Sequence, residues 1–230
     1  SDTLSLKEVG PGEYEYYCVA SCAGYGKMSD IAAVTVGKAD PYVTGIPAAS
    51  IIYGSTIGDI PLTGCAAQHS AADATPVPGT FTWKEPNIVP GVADSEFTNY
   101  VMVFAPDDTD HYNPLETLVT VTVEKATPYL AALPAATATA GEPLGNATLV
   151  GGAAQYSITN TTPVPGSFAW KDPATVPALA DSDKTAYAVV FTPTDTENYE
   201  KVELAVIPTV VEKPKEVKRY DLTEVPDGLA

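Results

Sequence analysis

The sequence predicts an all-β protein built from antiparallel β-sandwich repeats in tandem, and three observations carry that prediction. The 230 residues are 45% hydrophobic and only 18% charged, and they are rich in Thr, Val, Pro and Gly, a composition that favours strands and turns over helices. Apolar residues recur with period two and nowhere with a convincing helical period. Finally, TPVPGTFTWKEPNIVPGVADS (75–95) returns as TPVPGSFAWKDPATVPALADS (162–182).

The offset between these stretches is 87 residues, from Trp83 to Trp170. It also joins Pro78 to Pro165, Tyr100 to Tyr187, Phe104 to Phe191 and Tyr112 to Tyr199. Aligned without gaps, residues 42–123 and 129–210 are identical at nearly half of their positions, which marks two homologous domains. The expected boundaries are 40–126 and 127–214. Running the offset backwards places Tyr17 on Phe104 and Tyr25 on Tyr112, so 1–39 reads as the last third of a preceding copy. At the other end VKRYDLTEVP (217–226) resembles KADPYVTGIP (38–47), so 215–230 reads as a linker or the start of a following repeat.

Within a repeat the elements follow in order. Stretches near Val43 to Ile46, Ser50 to Tyr53 and Ile60 to Leu62 are candidate strands. In GTFTWK (79–84), Phe81 and Trp83 share one face, as do Phe168 and Trp170 in the second copy; all four are expected to fill the sandwich. NYVMVFAP (99–106) sends Tyr100, Met102 and Phe104 to one side, and LVTVTVEK (118–125) alternates Val119, Val121 and Val123 with threonines. Between these last two lies PDDTDHYNP (106–114), a turn composition whose Tyr112, like Tyr199, is expected to anchor the turn to the sheet edge. LPAAT (133–137) aligns with IPAAS (46–50) and reads as a strand connection. Six or seven short strands in about 87 residues match a β-sandwich.

The charge balance limits the partners. Twelve Lys and Arg against 29 Asp and Glu leave a formal charge of −17, which repels phosphate backbones and anionic lipid. Neither nucleic-acid binding nor membrane insertion is expected, and there is no apolar run of about 18 residues. The three cysteines make no metal motif. Cys18 and Cys22 can bridge if the chain turns between them; continuous strand would hold them roughly 13 Å apart, too far for a disulfide.

The order PVPGxFxW, xPxxVPxxADS, YxxxFxPxDTxxY and a Val/Thr strand ending in EKATP resembles the bacterial immunoglobulin-like repeats of large Gram-positive cell-surface proteins of adhesin type. The resemblance covers essentially the whole chain. It implies immunoglobulin-like antiparallel sandwiches strung in series on an extracellular, cell-surface or cell-wall protein. In addition Tyr16, Tyr17 and Cys18 resemble the Tyr-x-Cys of the penultimate strand of immunoglobulin domains. Neither full copy has the intersheet cysteine pair, because Cys65 aligns with Gly152.

Little in the sequence suggests chemistry. The only histidines, His69 and His111, align with Tyr156 and Asn198, which excludes a catalytic role common to both copies. Ser70 and Ser157 lie in no nucleophile elbow and read as surface serines. Asp107, Asp108 and Asp110 cluster in one turn rather than facing each other across a cleft, as a glycosidase pair would. They read as a solvated acidic turn, with weak calcium binding as the alternative; the second copy thins the cluster to Asp195 and Glu197. Tyr14 and Tyr16, on one strand face, are candidate partner contacts. No cofactor is expected.

These features predict a non-enzymatic repeat region that serves as a spacer or adhesive module. The alternative is a binder of a host immunoglobulin, matrix protein or mucin glycan. A third reading is the accessory region of a glycan hydrolase. Neighbouring repeats are the expected partners, and cut strand edges at 1–39 and 215–230 predict head-to-tail association, unless 1–39 folds back as a lone hairpin on the first sandwich.

Overall fold

A computed structural model describes residue 5 and residues 9–215. The chain forms two compact units, one closing at Glu124 and the other opening at Lys125. The second copy therefore begins two residues before the expected boundary, for a reason given below.

In the first unit an arm precedes the sandwich. β1 (Gly12–Tyr16) pairs antiparallel with β4 (Ala32–Val36), Tyr14 opposite Val34 and Tyr16 opposite Ala32. Between them β2 (Val19–Cys22) and β3 (Tyr25–Met28) form a second antiparallel ladder. Its two-residue turn, Ala23 and Gly24, has φ of 51° and 86°, the positive pair that a tight hairpin demands. Glycine suits such a site and alanine tolerates it at some cost.

The arm corrects the register expected from the repeat offset. That offset would turn Glu13, Glu15 and Tyr17 inward. Instead Tyr14 and Tyr16 take the more covered face, whereas Tyr17 and Tyr25 are 56% and 86% exposed and anchor neither sheet nor turn. Aromatics stand at both parities of EYEYY, so alternation alone did not choose between them.

The first sandwich follows: β5 (Tyr42–Thr44), β6 (Ala49–Ile52), β7 (Ala66–Gln68), β8 (Gly79–Trp83), β9 (Asn99–Pro106) and β10 (Leu115–Glu124). β5 and β7 make one layer, and the order β6-β10-β9-β8 makes the other. Val43 and Ala67 from the first meet Ile51, Trp83, Met102, Phe104 and Val121 from the second in one core. Ile60 to Leu62, a candidate strand, is a loop after a 3-10 turn at Ile57–Asp59; Pro61 has no N–H to give a ladder.

The second sandwich uses β11 (Tyr129–Thr139), β12 (Leu149–Gln155), β13 (Gly166–Trp170), β14 (Tyr187–Pro193), β15 (Val202–Val206) and β16 (Thr209–Val211). Here β11 runs unbroken, pairing with β12 and then with β16. LPAAT is thus inside a strand rather than a connection; in the first copy Gly45, with φ 68°, lets the chain break between β5 and β6. Conversely β10 is continuous while β15 and β16 are separate. Pro208 stands where the first copy has Val121, and a proline cannot donate to the ladder. Each copy is a β-sandwich whose ladders are antiparallel except one, β6 with β10 and β11 with β16, which run parallel.

Much of the twice-kept motif is scaffold. Trp83 and Trp170 are buried and their Nε1–H groups donate to the carbonyls of Ile60 and Ala147 at 3.0 and 2.9 Å. Phe81 packs on Phe104, and Phe168 on Phe191, at ring separations of 4.7 and 4.9 Å. A Cβ on Gly79 or Gly166 would come within 2.6 Å of those core phenylalanine rings. Asp94 and Asp181 accept the backbone N–H groups of Gly91 and Ala178 at the start of their own 3-10 turns. Ser95 and Ser182 accept from Val123 and Val210 on the last strand. Pro90 and Pro177 are fully buried.

Candidate interaction surface

Each sandwich opens on a pinned peptide. Ala39 donates to the His111 carbonyl and accepts from Asn113 N–H, at 2.8 and 2.9 Å; Ala126 repeats this with Asn198 and Glu200 at 3.0 and 2.9 Å. The preceding lysines add a third tie: Lys38 Nζ donates to the Thr109 carbonyl at 2.6 Å and Lys125 Nζ to that of Thr196 at 2.7 Å. Lys125 and Ala126 therefore belong to the second copy, which is why the boundary falls at Glu124. The two lysines match at the 87-residue offset, but that identity alone did not assign them this role.

The same ties decide how the acidic turn is used. Asp108 Oδ1 accepts the backbone N–H groups of Asp110 and His111 at 3.2 and 3.1 Å, and its carboxylate receives His111 Nδ1 at 2.9 Å. A carboxylate only accepts, so the His111 proton sits on Nδ1. This side-chain bond is the largest influence holding the Asp108 pKa below its ordinary value. In the second copy Asn198 donates to Asp195 with the same lowering. The cation at the turn carbonyl is the lysine ammonium, Asp108 is committed to its own turn, and among the described residues no three of His, Cys, Asp and Glu gather as metal ligands. Asp107, Asp108 and Asp110 do not converge on a calcium position.

Beside the turn lies a groove of about 410 Å³ between Val9, Pro11 and Val36 of the arm side and His69, His111 and Tyr112 of the first sandwich. His69 Nδ1 is 3.0 Å from the Tyr112 hydroxyl. A Cβ at Gly10 would be 3.1 Å from His111 Nε2, so glycine there permits the arm root to approach the imidazole. The second copy, with Tyr156 and Asn198, keeps neither imidazole. Tyr112 and Tyr199 are partly buried against the cores, and their backbones bridge Ala39 and Ala126.

The two paired serines are engaged in their own turns. Ser70 and Ser157 use their hydroxyls to accept the N–H groups of Asp73 and Asn160 within their turns. Tyr14 and Tyr16 stack on one another at 6.2 Å, and the Tyr14 hydroxyl donates to the Gly10 carbonyl at 2.8 Å. Cys18 and Cys22 are free and exposed; the chain runs on from Cys18 as β2, so the turn that a bridge requires is absent and falls instead after Cys22. Cys65 is half-buried, with Sγ 3.7 Å from Met102 Sδ, and burial raises its thiol pKa.

No protein-family model matches the chain, and no curated protein matches it. Among solved structures it is similar to one described as Sidekick-1 immunoglobulin domains 1-5, at 14% identity and a TM-score of 0.26, over 88% of this chain and 46% of that one. The chain thus spans about half the length of that structure.

Proposed function

We propose that this chain is a non-enzymatic, extracellular repeat region of a bacterial surface protein, acting as a spacer or adhesive module. The observation that carries the reading is the pinned junction. The last strand of the first sandwich ends at Glu124 and Lys125 is already bonded into the second, so no residue is left over as a free linker. Such ties fix where each repeat begins. No helix among the described residues is long and apolar enough to cross a membrane.

Trypsin tests the reading directly, because Lys38–Ala39 and Lys125–Ala126 are both potential cleavage sites. Pinned by two backbone bonds and an ammonium each, they resist digestion, while the exposed Lys27 of β3 is cut early. Rapid cleavage at Lys125 would mean a loose junction and would remove the spacer reading.

A second reading, a ligand-binding module, is favoured by one observation: the groove of the first copy carries His69 and His111, and the second copy keeps neither imidazole. A pure spacer has no use for that difference. The candidate ligands remain those of the sequence reading, a host immunoglobulin, a matrix protein or a mucin glycan.

A further inference from the structure

Each sandwich leaves a strand unpartnered at the end of a sheet: β8 closes the order β6-β10-β9-β8, and β13 opens the order β13-β14-β15. In the first copy Lys84 N–H donates to the Val101 carbonyl and Asp107 N–H to that of Pro78. With Thr82 opposite Val103 in the same ladder, Pro78, Thr80, Thr82 and Lys84 turn their backbone polar groups to β9. The alternation of an antiparallel pair then points the N–H and C=O groups of Gly79, Phe81 and Trp83 away from the sheet. Lys171 N–H to Ala188 and Thr194 N–H to Pro165 set the same phase in the second copy and free Gly166, Phe168 and Trp170. Among the described residues no backbone group meets these free edges. Beside each edge runs the same groove, about 440 Å³ along β8 and about 370 Å³ along β13. Every residue lining one has its counterpart lining the other at the 87-residue offset, Leu62 with Leu149 on the far wall and Pro86 with Pro173 at the rim. Neither GTFTW nor GSFAW contains a charge or a proline, the residues that usually blunt an exposed edge.

We propose that β8 and β13 each accept an extended segment of another polypeptide as an added strand, one in which apolar residues alternate with Lys or Arg. The free backbone groups select the conformation. An extended chain presents N–H and C=O groups at the repeat that these edges offer, whereas a helix spends its own internally. The groove selects the side chains. On an added strand every second residue stands beside Phe81 and Trp83 and enters the groove, and the residues between stand beside Thr80 and Thr82 in water. Charge selects the sign. Lys84 is paired with Glu116 and Lys171 with Glu203, each at 2.7 Å, so the acid between each lysine and the rim proline, Glu85 or Asp172, leaves that end of the groove net negative. The whole chain has a formal charge of −17, which attracts a basic segment and repels a second copy. Each edge offers only three N–H and three C=O groups, each of small net worth, so a single strand binds weakly, at about 10 µM to 1 mM. The proposal does not depend on a stiff junction, so tryptic cleavage at Lys125 would leave it standing.

The test is NMR of the full chain titrated to about 2 mM, above that range, with a blocked peptide of about ten residues in which valine alternates with lysine, long enough to span either edge. In the free chain the amides of Gly79, Phe81, Trp83, Gly166, Phe168 and Trp170 exchange quickly with solvent. At saturation they shift in both copies and their exchange slows by about tenfold or more. The same peptide methylated at every backbone nitrogen does not bind. Thr82→Lys, on the exposed side of β8, sets like charge beside the added strand and weakens binding at the first edge about threefold; Thr82→Glu strengthens it by a similar factor. Both leave the second edge unchanged, which serves as the control for folding. Slow exchange of these amides in the free chain, no shift at either edge at the highest peptide concentration, equal binding of the methylated peptide, or the same effect from Lys and Glu at position 82 would each overturn the proposal.

Discussion

Replacing Trp83 by Phe tests the fold where its two copies are most alike. The indole donates to the carbonyl of Ile60, which is itself 5% exposed. Phenylalanine leaves that carbonyl without a donor, at about 1–3 kcal/mol, and also leaves a small void where the second ring lay. A loss of about 3 kcal/mol from the first sandwich follows, which at about 1.5 kcal/mol per molar urea is a shift of about 2 M in its midpoint. The chain has two tryptophans, so in this variant Trp170 emits alone and reports the second copy, while far-UV circular dichroism reports both. The expected result is a dichroism curve with an early phase that the fluorescence lacks. A single transition, coincident in both signals and at the wild-type midpoint, would refute both the weight given to the indole hydrogen bond and the separateness of the two units.

Two further outcomes follow from the titratable groups. The Asp108 carboxyl, followed by NMR, titrates below its ordinary value in the wild type, first because His111 donates to it; His111→Asn, the residue of the second copy, keeps the depression and His111→Ala lessens it, leaving the part due to the backbone N–H groups of residues 110 and 111. Because the folded value is the lower one, the contribution of Asp108 to stability is complete above the ordinary carboxylate range, about pH 4, and is lost as pH falls through the depressed value. A thiol reagent added without reductant finds two fast groups, Cys18 and Cys22, and one slow one, Cys65, whose raised pKa demands higher pH for the thiolate; a single reactive thiol would mean that Cys18 and Cys22 are bridged.

Much of each sandwich was legible because period two identifies a strand and an exact offset identifies its counterpart. Phe81, Trp83, Met102 and Phe104 declare their face by alternation alone. Alternation says nothing of neighbours, however. The parallel pairing of β6 with β10 leaves no mark on either strand, since a residue facing inward does so whichever edge its strand occupies. Nor did the aligned copies announce that Val121 and Pro208, at one position, would give a continuous strand and a broken one. The arm misled for another reason: Tyr14, Tyr16 and Tyr17 offer aromatics at both parities, and only the ladder with Ala32 and Val34 resolves them. The groove was least legible, because His69 and His111 are 42 residues apart in sequence and Pro11 and Val36 join them only through the arm.

The parallel pairing has a mechanical consequence. In each copy an early strand lies beside the last one, both running the same way, so tension applied at the two ends of a sandwich pulls these neighbours in opposite directions along their length. Their hydrogen bonds are then sheared together instead of being peeled one after another. The first copy sets four residue pairs in that ladder, Ala49 with Val121 through Ile52 with Glu124, and the second only three, Thr137 with Thr209 through Thr139 with Val211. Under a rising pull the second sandwich, with Pro208 beside its shorter ladder, is the one that yields first.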